Sequence, residues 1–304
     1  MTRHIGWGKV ILLGEHAVVY GFPALVAALD RGVAAAAVPT PAGGSLRLDV
    51  PAWELSVRAS PDADADAPAR ALAAIADQLG LGRPAVTIVA ETQLPARAGL
   101  GSSAALAVAT ARALAAHGHK KLDPAGLADA ANASERVHHG APSGIDVAIA
   151  IAGGFGVYRK ATGLRPLTSP PLRVLIGPSG TPRSTAQMVE RVAGATAGSA
   201  DDARLRELGG LTDAGASALL ARDLVLLGHA MDRAHAVLAS LGVSTPQLDA
   251  LCAQARAAGA TGAKLTGAGG GGAVIAVAPP DREAAVLAAW KTAGVTGFVA
   301  QVGR

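Results

Sequence analysis

The stretch Pro95-Ala-Arg-Ala-Gly-Leu-Gly-Ser-Ser-Ala-Ala105 leads from a glycine-rich turn directly into an alanine-rich helix. Glycine lets the backbone approach a ligand closely, and the start of a helix supplies unpaired N–H groups and the positive end of its dipole. This combination favours an anion site suited to the phosphates of a nucleotide. Its two serines can cap the helix or lend a hydroxyl to Mg²⁺. A purely structural glycine turn with serine caps explains this segment equally well.

The same stretch contains Gly-Leu-Gly-Ser-Ser-Ala, which satisfies the G-x-G-x-x-A pattern of dinucleotide-binding turns. Those turns follow their strand immediately, whereas about nine residues separate Val89, at the end of a predicted strand, from Gly99. The G-x-x-x-x-G-K-S/T string of Walker phosphate loops occurs nowhere in the chain. A bound nucleotide therefore needs a different kind of phosphate loop.

Two further segments place charged residues beside apolar sequence. Gly8-Lys-Val-Ile-Leu-Leu-Gly-Glu-His-Ala-Val-Val-Tyr-Gly21 is an apolar strand flanked by Lys9, Glu15 and His16. Burying these groups without partners is costly, so they either meet partners or lie at the solvated ends of the strand. In Glu135-Arg-Val-His-His-Gly-Ala-Pro-Ser-Gly-Ile-Asp146 one carboxylate ends a predicted helix and another follows a tight turn. Two such carboxylates can divide their roles, one on a metal ion and one as a general base.

The composition narrows the class of protein. Of 304 residues, 50% are hydrophobic and 3% aromatic, and no apolar run reaches the roughly 20 residues that cross a bilayer. The single cysteine, Cys252, excludes an internal disulfide and a cysteine-based metal site. The net charge of +4 favours an anionic ligand, while the lack of a nucleic-acid motif argues against DNA or RNA. We therefore expect a soluble, cytoplasmic protein without a membrane or nucleic-acid partner.

Hydrophobic periodicity and turn residues predict an α+β chain. Strand-like runs alternate with turns in the first third, and the helix that begins at Asp123 and Pro124 is expected to end near Gly140. The turn-rich stretch 162–171 predicts a boundary between domains 1–168 and 169–304. The predicted helices are 68–79, 103–116, 124–138, 183–193, 201–208, 213–241 and 246–258, with a closing helix and strand after a strand pair around 267–272.

Together with Lys264-Leu-Thr-Gly-Ala-Gly-Gly-Gly-Gly272, these segments resemble the GHMP family of small-molecule kinases. All three family motifs occur in the family's order, and the resemblance extends from Gly6 to about Val277. It implies a two-domain α+β kinase fold, with an N-terminal mixed-sheet domain and a ferredoxin-like C-terminal domain. The unbroken string from Gly8 to Gly21 is similar to family members that use ATP and Mg²⁺ to convert mevalonate to 5-phosphomevalonate. It lacks the acidic and aromatic continuation of galactokinases.

The resemblance also implies residue roles. Asp146 would act as base toward the substrate hydroxyl, and Lys9 beside it would keep the carboxylate ionised and offset charge on the transferring phosphoryl group. Mg²⁺ would bind to Ser103 and Glu135. The ATP phosphates would meet the loop and the helix start, at Pro95, Gly99, Leu100, Gly101, Ser102, Ser103 and Ala104.

Substrate contacts follow from the same resemblance. The substrate-facing positions of the family correspond to Glu15, His16, Thr185 and Gly267. Many relatives place an arginine on the strand after the Gly-Gly that follows the catalytic aspartate, but this chain has Val157 there. Arg159 and Arg183 are the alternatives for binding the substrate carboxylate.

Other functions remain compatible with these motifs. One is a GHMP kinase that acts on phosphomevalonate, homoserine or a sugar. The alternative from another class is a ligand sensor that keeps the fold without catalysis, although the base and metal positions are all present. Homodimers are common in the family, and the sequence leaves the oligomeric state open.

Overall fold

The computed structural model describes residues 2–41, 43–95, 98–140, 142–182 and 184–303. The chain forms two compact units, and neither is a continuous stretch of sequence. Unit 1 comprises residues 1–8, 31–96 and 101–152, and unit 2 comprises residues 9–30, 97–100 and 153–304. The strands β1 (His4–Leu13) and β2 (Ala24–Pro39) pair with each other, and each contributes residues to both units.

Unit 1 is built on a mixed sheet covered by helices. Its remaining elements are β3 (Arg47–Val50), β4 (Leu55–Arg58), α1 (Ala67–Gln78), β5 (Val86–Thr92), α2 (Ser102–His117), α3 (Pro124–His139) and α4 (Ile145–Ala152). The strand order is β4-β3-β5-β2, in which β3 and β5 are parallel and the other neighbours antiparallel. Helix α2 packs against α1, α3 and α4.

The small residues of α2 are explained by close packing. An added Cβ on Gly6 of β1 would lie 2.0 Å from the Ala105 carbonyl oxygen, so only glycine permits this approach. Alanines on the buried faces of α2 keep the neighbouring helices near in the same way. The first turn of α2, which carries the predicted phosphate site, is therefore held directly against β1.

Unit 2 contains the remaining strands and helices. They are β6 (Phe155–Arg159), β7 (Gly163–Leu167), β8 (Leu172–Pro178), α5 (Thr185–Ala195), α6 (Ala203–Ala221), α7 (Leu224–Ser240), α8 (Pro246–Ala257), β9 (Gly262–Thr266), β10 (Ala273–Val277), α9 (Glu283–Thr292) and β11 (Phe298–Val302). The sheet order is β2-β11-β8-β10-β9, all antiparallel. If β8, β9, β10 and β11 are numbered 1 to 4 in chain order, their order in the sheet is 4-1-3-2, as in a ferredoxin-like sheet. This order confirms the predicted α+β fold.

Most predicted helices form, because their end signals are local. Asp123 accepts a hydrogen bond from the Gly126 N–H at 2.7 Å, Pro124 opens α3, and Gly140 follows its last residue. The helix predicted at 68–79 appears as α1, one residue earlier at each end.

The predicted division between helices 201–208 and 213–241 is wrong. Helix α6 continues through Gly209 and Gly210, and the break falls at Arg222, which has a φ of 61°. Asp223 then caps α7 by accepting hydrogen bonds from two backbone N–H groups. Gly209 is needed for packing rather than for a turn, since a Cβ there would lie 2.6 Å from the Phe22 ring.

The two compact units divide the chain differently from the predicted boundary at residue 168. Strands β6 and β7 lie before that boundary but belong to unit 2 with the C-terminal half. They belong there because β6 pairs with residues 24–27 of β2, and β7 pairs with β6. The boundary between domains 1–168 and 169–304 stays a prediction.

None of the helices in the described part of the chain is long and apolar enough to cross a membrane. Helices such as α5 and α8 have one buried and one exposed side, whereas α2 is buried on nearly all sides.

Candidate active site

Three packed helices of unit 1 carry the predicted base and metal ligands. Ser103 lies in the first turn of α2, Glu135 near the end of α3 and Asp146 in the first turn of α4. Helix α2 packs against both α3 and α4, and α3 packs against α4. Glu135 and Asp146 are 32 and 43 positions from Ser103 in the sequence. All three residues nevertheless lie on helices that pack against one another.

The structure joins Ser103 and Glu135 directly. The Ser103 hydroxyl donates a hydrogen bond of 2.5 Å to Glu135 Oε1, and Glu135 is only 3% exposed. His139 Nε2 lies 3.8 Å from the other carboxylate oxygen. A buried carboxylate costs free energy without partners, so this geometry is a specific arrangement rather than a chance surface contact.

These oxygens fit a magnesium ion better than a transition metal. Mg²⁺ prefers hard oxygen ligands and commonly takes one or two protein groups, with phosphates and water completing its shell. The described residues contain no cluster of three or more His, Cys, Asp or Glu side chains that could hold a metal by themselves. A carboxylate beside a hydroxyl matches a metal that arrives with a nucleotide.

The predicted phosphate loop has the backbone conformation that its glycines allow. Gly99 and Gly101 have φ values of 79° and 75°, in the left-handed region. Gly101 is the N-cap of α2, and no side chain caps the helix there. The proposed capping by serines is therefore wrong, because Ser102 donates to the Pro95 carbonyl at 3.2 Å and Ser103 to Glu135. The first-turn N–H groups have no side-chain cap and can receive an anion.

Lys9 lies in the middle of β1 and is 2% exposed. Its backbone N–H donates to the Leu100 carbonyl at 2.8 Å, which ties β1 to the phosphate loop within unit 2. Asp146 belongs to unit 1 and is half-buried. The pairing of Lys9 with Asp146 stays a prediction.

The loop after β1 has a constrained backbone. Gly14 has a φ of 94°, and an added Cβ would lie 2.3 Å from the Pro23 carbonyl oxygen. His16 has a φ of 61°, which is uncommon for a residue with a side chain. His16 Nε2 donates to the Ala268 carbonyl at 2.8 Å, so this contact joins the loop to the glycine-rich segment after β9. Strain of this kind is characteristic of functional sites.

Lys264 belongs to the glycine-rich motif 264–272, and the sequence pattern by itself assigned it no role. Lys264 is fully buried in β9, and its ammonium donates to Glu15 Oε1 and, at 2.7 Å, to the Leu265 carbonyl. Burial lowers the pKa of Lys264, and the Glu15 carboxylate opposes that shift. The signal that could have indicated this ion pair was a lysine within an otherwise apolar strand, since a buried charge requires a partner.

Of the remaining predicted substrate residues, Thr185 and Arg159 are exposed and Gly267 is buried. Thr185 opens α5 and is exposed. Arg159 ends β6, and its guanidinium lies 4.0 Å from the Asp213 carboxylate at the surface. Gly267 begins the glycine-rich loop with a φ of 81°. Arg183 lies outside the described residues, so the choice between the two arginines stays open.

Family models match both halves of the chain. The N-terminal domain of GHMP kinases matches residues 67–154, and the C-terminal domain of GHMP kinases matches residues 216–296. A mevalonate kinase from Thermococcus sibiricus is 34% identical over 97% of this chain and 94% of the relative. The chain belongs to the GHMP kinase family. As a GHMP kinase it is an ATP-dependent small-molecule kinase.

Solved structures agree with this family. The mevalonate kinase of L. major, crystallised in complex with R-mevalonate, has a TM-score of 0.84 and 28% identity, covering 99% of this chain and 96% of that one. The mevalonate kinase of Methanococcus jannaschii has a TM-score of 0.85 and 25% identity, covering 100% and 98%. The GHMP kinase fold predicted from three motifs is thereby confirmed.

The matched family ranges contain only part of the candidate site. Ser103, Glu135 and Asp146 fall within the N-terminal match, and Lys264 and Gly267 within the C-terminal match. Lys9, Glu15, His16, Arg159 and Thr185 fall outside both. For those five positions, the assignment to the site rests on the motif in this sequence and on the contacts described above.

Proposed function

We propose that this GHMP kinase transfers the γ-phosphoryl group of ATP to the hydroxyl of mevalonate, forming 5-phosphomevalonate. The kinase chemistry is supported chiefly by the hydrogen bond between Ser103, on the helix that follows the phosphate loop, and the buried Glu135 carboxylate on α3. The acceptor is supported by relatives named mevalonate kinase that match nearly the full length of the chain. Both lines of support agree with the unbroken string from Gly8 to Gly21.

The phosphate loop and the start of α2 would bind the nucleotide. The left-handed glycines at 99 and 101 let the backbone approach the phosphates, and the helix dipole favours their negative charge. Ser103 and Glu135 would hold Mg²⁺, which neutralises phosphate charge when bound. Phosphoryl transfer depends mostly on positioning and electrostatics, which suits a site made of backbone N–H groups and a few charges.

Asp146 would accept the proton of the attacking hydroxyl. It lies in the first turn of α4, at the end of the helix that carries partial positive charge. Lys9 would add a cation to this region and offset charge that develops on the transferring phosphoryl group. Glu15 and His16 would contact the acceptor, together with Thr185, Gly267 and one arginine, Arg159 or Arg183.

A coupled assay of ADP release across mevalonate, phosphomevalonate, diphosphomevalonate, galactose and homoserine tests the acceptor. We expect the highest kcat/KM with mevalonate and a requirement for Mg²⁺. Phosphorus NMR of the product should show a single phosphomonoester on the terminal hydroxyl carbon. Faster turnover with galactose or phosphomevalonate would refute the proposed acceptor while leaving the family unchanged. No turnover with any acceptor would favour the non-catalytic sensor.

A further inference from the structure

Lys264 is a charged group in a place that normally excludes charge. It is 0% exposed within β9, a strand whose five residues are all buried. Its ammonium donates to the Leu265 carbonyl at 2.7 Å and to Glu15 Oε1, a residue 249 positions away in sequence. A lysine buried this deeply is costly, and replacement of such ion pairs by apolar residues is often neutral or stabilising. Fold stability therefore does not explain its presence.

Glu15 uses only one of its two carboxylate oxygens within the described protein. Oε1 accepts from Lys264, whereas Oε2 is buried and has no hydrogen-bond partner among the described residues. Glu15 itself is 1% exposed. A buried carboxylate oxygen without a donor is unfavourable by itself, so this oxygen is best explained by a donor that arrives with a ligand.

Two more contacts fix the segments that carry this pair. The Thr266 hydroxyl lies 3.0 Å from the Ile11 carbonyl and 3.1 Å from the Ile11 N–H, so it bonds to the backbone of β1. His16 Nε2 donates to the Ala268 carbonyl at 2.8 Å. Residues 11–16 and 264–268 are thus held together by three buried side-chain contacts within unit 2.

We propose that Lys264 is a positioning residue, which fixes the Glu15 carboxylate through their ion pair and aims its oxygen Oε2 at a hydroxyl donor of the bound acceptor. This inference rests on the proposed function, because it assumes that an alcohol binds beside Glu15. Lys264 does not touch the acceptor in this arrangement. It acts through Glu15, and the ion pair sets the orientation and charge of the group that does touch it.

The charge of this pair depends on its neighbours. His235 packs behind β9, with Nδ1 accepting from the Leu265 N–H at 3.3 Å and Nε2 donating to the Asp249 carboxylate at 3.0 Å. Burial lowers the pKa of His235, which favours the neutral ring. The titratable and charged groups around the pair are Lys9, His16, His235, Asp249, Cys252 and Arg256.

The test compares Lys264→Met with Glu15→Gln, the double variant, and His235→Gln as control. Methionine keeps the length of the side chain and removes its charge. His235→Gln removes a contact to the backbone of the same strand while both side chains of the Lys264–Glu15 pair stay in place. For each protein, KM for mevalonate, KM for ATP, kcat and the unfolding midpoint are measured between pH 6 and pH 9.

We expect Lys264→Met to raise KM for mevalonate by about ten- to a hundredfold, which corresponds to the loss of a hydrogen bond to a charged group. KM for ATP should stay within about twofold. Glu15→Gln should also raise KM for mevalonate with little effect on KM for ATP, and the double variant should resemble Glu15→Gln.

A purely structural role gives a different result. If Lys264→Met lowers the unfolding midpoint as His235→Gln does but leaves KM for mevalonate unchanged, the inference is wrong. If Lys264→Met does not fold, the double variant removes both buried charges, and a KM for mevalonate equal to that of the wild type then refutes the inference. The wild type is assayed first, because its failure to phosphorylate mevalonate refutes the proposed function instead.

Discussion

At the scale of single residues, Ser103 and Asp146 differ in what can replace them. Each lies in the first turn of a helix and carries an oxygen. The Ser103 hydroxyl is a neutral group bound to Glu135, and water can substitute for a hydroxyl on a metal ion. The Asp146 carboxylate is proposed to accept a proton, and water cannot take over that role at the same position.

Asp146→Asn should therefore lower kcat by about 10² to 10⁴, the usual contribution of a general base, while ATP affinity changes little. Ser103→Ala should have a smaller defect that shrinks as the Mg²⁺ concentration is raised. Steady-state kinetics over a range of Mg²⁺ concentrations, together with ATP titration, measure both effects. If high Mg²⁺ restores Asp146→Asn but not Ser103→Ala, the two roles must be exchanged.

Gly101 is constrained at the same scale. Its φ of 75° suits glycine, and a β-branched residue in the left-handed region is strained by about 1–2 kcal/mol. A valine side chain would also obstruct the approach of the backbone to a phosphate. Gly101→Val should weaken ATP binding while circular dichroism stays like that of the wild type.

Gly82→Val is the matched control for that strain. Gly82 has a φ of 62° in the connection between α1 and β5, outside the phosphate loop, and an added Cβ there meets nothing within 4 Å. Both variants should lose similar stability, but only Gly101→Val should lose ATP affinity in a nucleotide titration. Equal ATP affinity in the two variants would mean that the loop at Gly101 is structural.

At the scale of elements, α6 shows how packing overrides a local break signal. Gly209 and Gly210 are adjacent in the helix, and glycine in a helix interior costs about 1 kcal/mol relative to alanine. The two differ in surroundings, since a Cβ on Gly209 would meet the Phe22 ring at 2.6 Å and one on Gly210 would meet nothing. The helix tolerates both glycines because one of them permits the contact with Phe22.

Gly210→Ala should therefore stabilise the protein by about 0.5–1 kcal/mol through helix propensity alone. Gly209→Ala should destabilise it, because the gain in propensity is smaller than the cost of about 1–3 kcal/mol for overpacking. Urea unfolding of both variants measures the difference. If both substitutions stabilise equally, Phe22 can move aside at little cost and Gly209 has no packing role.

At the scale of the whole molecule, buried histidine couples stability to pH. Burial lowers the pKa of His235 below its ordinary value, so the folded protein keeps the ring neutral. The unfolded chain takes up this proton near pH 6.5. The stability contributed by the neutral ring is therefore complete above about pH 6.5 and is lost as the pH falls toward the lower pKa of the folded state.

We expect the unfolding free energy to decrease as the pH is lowered from 7.5 to 5.5, and His235→Gln should reduce this dependence. The decrease reflects a proton that the unfolded state binds and the folded state excludes. Chemical denaturation at each pH, with phosphorylation activity measured separately, provides the comparison. Identical pH dependence in the wild type and the variant would show that other groups dominate.

Local signals in the sequence determined much of this protein. The cap at Asp123, Pro124 and Gly140 predicts α3 because those signals act within a few residues of the backbone they satisfy. The glycine-rich stretch before Ser102 predicts the turn that leads into α2 for the same reason. Motif order predicts the family and its fold, which the matches over both halves confirm.

Only the tertiary structure decided which residues meet. The Ser103–Glu135 hydrogen bond spans 32 positions and the Lys264–Glu15 ion pair spans 249, and no local pattern encodes either pairing. The close packing of Gly209 in α6 against Phe22 is likewise not encoded by a local pattern. Loop closure over such separations is favourable only when many buried contacts form together, so the partner of each buried charge is a property of the whole fold.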